Sequence, residues 1–184
     1  MNSPLRYQIT ECDCGQVSLV NCLAYLFNRE EIPGELLKRI NAYTLDNSSC
    51  GTSRDAVRFV ASRIMEFADK KNFPILCEYL FDEQVTFERI KHWVNSGGCV
   101  NFRCWHIICE HYVTITKIDD DFVYLFDPYY LESDYYNKNK NIEIIFDQPF
   151  IANRKVCVDY FKNKKGDFTL NSIKIREALL IKRA

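Results

Sequence analysis

Residues 99–128 read CVNFRCWHIICEHYVTITKIDDDFVYLFDP. The stretch is rich in β-branched and aromatic residues, and its pattern predicts strands over 99–105, 111–118 and 122–126. Asp119-Asp120-Asp121 separates the last two runs as a hairpin turn. If those strands pair through that turn, residues whose numbers sum to about 240 stand opposite each other. His111 and Asp127 sum to 238, which sets them close to opposite. A histidine that opens one strand then meets a carboxylate that closes the next, and the carboxylate can fix the tautomer of the ring.

Upstream of this hairpin the periodicity is helical. Residues 15–27, GQVSLVNCLAYLF, place Val17, Val20, Leu23, Ala24 and Phe27 near helical spacing and predict a mostly buried helix. Pro33 opens a second helix towards Ala42, with Leu36, Leu37 and Ile40 on its apolar face. Residues 47–51 read as a loop. Thr52 or Ser53 can cap a third helix carrying Val57, Val60, Ala61, Ile64, Met65 and Ala68. A short strand over 74–80 and a helix over 85–94, ended by Gly97-Gly98, complete the first half. Downstream, strands are expected at 142–146, 155–161 and 178–182, with a polar, tyrosine-rich loop over 132–141. Helices first and an antiparallel sheet second make an α+β domain.

The 184 residues are 47% apolar and 14% aromatic, enough for a packed core. Net charge is −1, which argues against a nucleic-acid partner. Residues 152–184 carry nine Lys/Arg against three Asp/Glu, the pattern of a solvated sheet edge guarded by lysines. No uncharged run reaches the roughly 18 residues of a membrane span, and the start reaches Glu11 without a secretion signal, so a cytoplasmic location is expected. Nine cysteines in irregular spacing then read as free, mostly buried thiols. The only close pair, Cys12-x-Cys14, does not have the spacing of a structural zinc site, and no metal is expected. Three consecutive aspartates at 119–121 read as a solvated hairpin tip.

Cys14 stands where the first buried helix begins. A sulfur there faces unpaired backbone N–H groups and the positive end of the helix dipole, both of which favour the thiolate. Gly15 beside it allows close approach of a substrate backbone. With His111 and Asp127 in the chain order Cys, His, Asp, the set is one that activates a thiol for acyl transfer. The Cys14 N–H and the side-chain amide of Gln8, six residues upstream, can hold the tetrahedral oxyanion. Cys12 is the rival nucleophile, though no glycine follows it. His106 is the rival base, though no Asp-Pro matches its spacing, and His92 lies within a predicted helix beside Trp93.

These residues resemble the peptidase domains that cleave double-glycine leader peptides, found at the front of bacteriocin-exporting ABC transporters and as stand-alone proteins. Gln8, Asp13, Cys14 and Gly15 match that family's first motif. His111, Tyr112, Val113, Asp127 and Pro128 match its second, and Gly51-Thr52-Ser53 fits a Gly-x-Ser common in a connecting loop. The likeness covers about residues 5 to 130. It implies a papain-like fold and a thiol peptidase, with Cys14, His111, Asp127 and Gln8 as the catalytic set. It also implies a peptide or protein substrate and no cofactor. On this reading residues 1–184 form one domain, and 131–184 extend the sheet. Two alternatives share the scaffold: an acyltransferase or transglutaminase-like enzyme using the same thioester, and a catalytically silent peptide binder.

Overall fold

A computed structural model describes residues 1–44 and 51–184, so most of the loop expected over 47–51, with Cys50, lies outside the described residues. The first helix, α1 (Cys14–Leu26), is buried along most of its length, on Val17, Leu19, Val20, Cys22 and Leu23 but also on Ser18 and Asn21. α2 (Gly34–Tyr43) follows Pro33 and buries Leu36 and Ile40. α3 (Arg54–Lys71) starts where the Ser53 side chain accepts the Ala56 N–H, and it ends at Asn72 in the left-handed region, φ 51°. β1 (Ile75–Phe81) leads to α4 (Phe87–Asn95), capped by Thr86. β2 (Cys99–His106), β3 (Cys109–Ile118) and β4 (Phe122–Phe126) form the meander read from the sequence. β5 (Ile142–Ile144), β6 (Arg154–Cys157), α5 (Val158–Phe161) and β7 (Glu177–Arg183) complete the chain.

The seven strands form one sheet in the order β1-β7-β2-β3-β4-β6-β5, every pairing antiparallel. Alternate side chains build two cores. Cys99, Leu179 and Ile181 face Leu19, Leu23 and Ile64 of the helices. Val100, Phe102, Val113, Ile115 and Leu180 face the other way, onto Ile90 of α4 and Phe161 of α5.

Three expectations change. The strand expected over 155–161 ends at Cys157. There Val158 donates its N–H to Asp121 O, and the chain turns so that Phe161 is buried against Phe87 and Phe102, at 6.2 and 5.3 Å between rings. The basic terminal segment is no exposed edge: β7 lies between β1 and β2, and Arg154 is fully buried. The cysteines are not all free thiols. Cys12 is disulfide-bonded, while Cys14, Cys22, Cys77, Cys99, Cys104, Cys109 and Cys157 are free.

The hairpin register follows the arithmetic with one adjustment. Thr114 pairs with Phe126 and Ile115 with Leu125, both summing to 240, and a bulge beyond Ile115 shifts the rest by one. Val113, not His111, is therefore in line with Asp127, and the histidine reaches the carboxylate diagonally.

Candidate active site

The helix and the sheet meet through polar side chains buried on purpose-built partners. Ser18 Oγ donates to Tyr112 O at 2.8 Å, Thr114 Oγ1 donates to Ser18 O at 2.9 Å, and Tyr25 Oη donates to Thr116 O at 2.9 Å. These bonds fix α1 against β3 and so bring the first residue of the helix to the start of the strand. Cys14 and His111 are both buried there, and the His111 ring is close enough to the Cys14 sulfur to lower its thiol. His111 Nε2 lies 2.8 Å from Asp127 Oδ1. That contact leaves Nδ1 as the ring nitrogen available to the sulfur.

The charges of the pair support each other. Burial alone would push the Cys14 thiol up, but the His111 ring and the backbone N–H groups of Tyr112 and Gly15 lower it below its usual range. Burial alone would also lower His111, but the Asp127 carboxylate and the Cys14 sulfur raise it to about 10. The thiolate and the imidazolium thus each favour the other's charged form. Asp13, the residue before the helix, does not cap it; its carboxylate accepts from Ile9 N, Thr10 N and Thr10 Oγ1, closing the turn that leads into Cys14.

Asp127 is wholly buried. It accepts from Arg154 Nη2 at 3.1 Å and from Tyr129 N at 2.9 Å as well as from His111. Asn153 clamps its backbone both ways, Oδ1 accepting from Asp127 N at 2.7 Å and Nδ2 donating to Asp127 O at 2.8 Å. Burial would raise the Asp127 carboxyl, yet His111 and Arg154 hold it below the usual carboxylate range. Sequence reasoning missed Asn153 and Arg154. An arginine in a basic segment carries no sign that it will be buried.

His106, the rival base, packs its ring on His111 at 4.9 Å between centroids and on Phe168 at 5.0 Å. Its Nε2 lies 3.7 Å from Asp127 Oδ2 and has no hydrogen-bond partner. Burial pushes His106 down to about 4, so it stays neutral. His106, His111 and Asp127 could bring three ligand atoms within 4.8 Å of one another. A divalent cation there would meet the Arg154 guanidinium already on the carboxylate, so the residues do not fit one. His92 lies on α4, away from this cluster.

Gln8 is placed by its backbone: its N–H donates to Pro128 O at 2.9 Å, and Asn21 grips Arg6 two residues before it through both amide atoms. Its side-chain Nε2 donates to Thr10 O at 2.7 Å. Among the described residues, no hydrogen bond joins Gln8 to Cys14, and one amide proton remains for another acceptor.

A cleft of about 490 Å³ opens beside Cys14, lined by Glu11, Thr52, Arg54, Arg103, Glu110 and Tyr112 among others. Behind its wall the fully buried Glu177 contacts Arg103 at 3.3 Å and Arg54 at 3.5 Å, and accepts from Tyr112 Oη at 3.3 Å. The β2–β3 turn at its rim holds Ile107 at φ 55°, a strained conformation for a β-branched residue. Asp167 Oδ1, which accepts the Ile107 N–H at 2.9 Å, fixes it.

With this geometry the architecture can be compared with solved structures. A double-glycine motif protease from an AMS/PCAT transporter, solved in complex with the leader peptide, matches with a TM-score of 0.50 and 16% identity. The match covers 98% of this chain and 91% of that one. The chain has the fold of a double-glycine peptidase. A second structure, described as a C39-like peptidase from Bacillus anthracis, matches with a TM-score of 0.50 and 15% identity over 100% and 96% of the two chains. No family model and no curated protein matches the sequence. The papain-like α+β fold expected from the motifs is therefore present, with helices on an antiparallel sheet. Among the described residues, no helix is long and apolar enough to cross a membrane.

Proposed function

We propose that this protein is a cysteine peptidase that cleaves a peptide bond through Cys14, His111 and Asp127. One observation carries the reading: a single buried imidazole lies 2.8 Å from the Asp127 carboxylate and is close enough to the Cys14 sulfur to lower its thiol. The Cys14 thiolate attacks the carbonyl carbon of the substrate. The Cys14 N–H and the remaining amide proton of Gln8 stabilise the oxyanion, each donor contributing about 3 kcal/mol. The His111 imidazolium gives its proton to the leaving amine. It then takes one from the water that hydrolyses the thioester, while Asp127 stays ionised and holds the ring. Removal of a leader from a small peptide precursor is the finer form of this proposal; its support is the fold shared with a protease solved with its leader peptide.

The test uses the purified chain with a panel of leader-bearing peptides, read by mass. Cys14→Ala should lower cleavage at least about a thousandfold. Cys14 should alkylate with iodoacetamide at pH 6 faster than free cysteine, because its thiol is lowered. Cleavage should fall as pH passes about 10, where His111 loses the proton the leaving amine needs. Full activity in Cys14→Ala, or a sulfur no more reactive than free cysteine at pH 6, would overturn the assignment. A product mass that includes an added amine would instead mark an acyltransferase.

A further inference from the structure

We propose that the cleft beside Cys14 selects peptides with a lysine or arginine next to the scissile bond. This inference rests on the peptidase reading and names its substrate class. Along the cleft run four alternating charges, Glu110, Arg103, the Glu177 behind the wall and Arg54; Arg54 also reaches Asp82, which lines a separate pocket. Glu11 also lines the cleft, exposed, with no ion pair among the described residues. Three carboxylates, Glu11, Glu110 and Glu177, against two guanidiniums leave a formal charge of −1. The catalytic groups add nothing to this sum, since Cys14 with His111 and Asp127 with Arg154 cancel in pairs.

The two arginines do not make the cleft a site for acidic residues, because each already faces carboxylates of the chain itself. Arg54 donates to Asp82 Oδ1 and to the carbonyls of Lys174 and Arg176, and its Nε faces Glu177. Arg103 donates to Glu177 and Glu110, and its Nε, though unpartnered, is buried. The Arg103 side chain is 12% exposed, while that of Glu110 is 44% exposed. What a bound peptide meets at the mouth is thus carboxylate oxygen. Cys109, on the same rim, senses the same field: burial first, then the negative charges of Cys14, Glu11 and Glu110, push its thiol up. A room of about 490 Å³ is large enough for a long side chain.

The test reads charge selection at the sulfur itself. A full-length Cys109→Ser protein is labelled with two methanethiosulfonates, one ending in trimethylammonium and one in sulfonate, and modification of Cys14 is followed by peptide mass. At low salt the cationic reagent should react about tenfold faster than the anionic one, and salt should compress the ratio. Glu11→Gln should lower the ratio and Glu11→Lys should invert it. Glu11 has no hydrogen bond among the described residues, so these variants do not depend on refolding the wall. Peptides with Lys beside the cleaved bond should then outpace the same peptides with Glu. A ratio of one or less, with Cys14 still reacting faster than free cysteine, would overturn the selectivity while leaving the nucleophile in place. A Cys14 slow towards both reagents would overturn the peptidase reading and this inference with it.

Discussion

Asp127 is fully buried, so its charge must be matched by neighbours. His111 and Arg154 match it, and Tyr129 N–H takes a further lone pair. Arg154 is equally constrained: fully buried, it also donates to the carbonyls of Asn153 and Tyr129, while its Nε is without a partner among the described residues. Arg154→Met should therefore lower the unfolding free energy by ~3 kcal/mol, because it strands a carboxylate in the interior. The loss should shrink when Asp127→Asn is already present, since the two groups then no longer need each other. Denaturant midpoints of the four proteins measure both effects, and a loss below about 1 kcal/mol in the single variant would show that Asp127 does not need the arginine. The His111–Asp127 contact was legible from residue numbers because a hairpin converts a sum into a distance. Arg154 was not legible, because it reaches Asp127 from a strand whose place in the sheet follows from no local pattern.

At the scale of elements, the helix bearing Cys14 is set by its first turn and by the loop laid over it. A Cβ added at Gly15 would meet Thr52 Oγ1 at 2.3 Å and Thr52 Cβ at 2.6 Å. Glycine is needed here for the approach of α1 to the segment before α3, not for its torsion angles. Gly15→Ala should push the helix start away from Thr52, costing roughly 1–3 kcal/mol as overpacking does. The same shift would part the Cys14 sulfur from His111 and slow alkylation at pH 6. Thr52→Gly removes the obstructing atoms, so Gly15→Ala with Thr52→Gly should regain much of both losses. Equal losses in the single and double variants would mean that the helix start is fixed elsewhere. The sequence pattern foretold the helix and the glycine beside the sulfur. It did not foretell Thr52 as the reason, because that contact joins segments 37 residues apart. The strand expected over 155–161 failed for a related cause: Val158 and Phe161 suit a strand by propensity, but Phe161 fills a gap between Phe87 and Phe102 only if the chain coils.

For the whole molecule, the likeness over about residues 5–130 contains all four expected catalytic residues, yet the sheet that holds them is not closed within it. β7 pairs with β1 along its whole length and with β2 along most of its own. Leu179, Leu180 and Ile181 are fully buried between the two cores. Each such side chain contributes about 1.5–3 kcal/mol by burial, so the three together rival the roughly 5–15 kcal/mol that stabilise an ordinary domain. Residues 131–184 also bring Arg154 to Asp127 and Glu177 to the cleft wall. A chain ending at residue 130 should therefore lack a cooperative thermal transition by circular dichroism, and its Cys14 should alkylate like free cysteine. Supplying 131–184 as a separate peptide should restore part of the transition, since β7 docks by pairing with strands on both sides. A fragment 1–130 that unfolds cooperatively with a reactive Cys14 would show that the helices and β2–β4 suffice, and that the terminal strands only add to a site already formed.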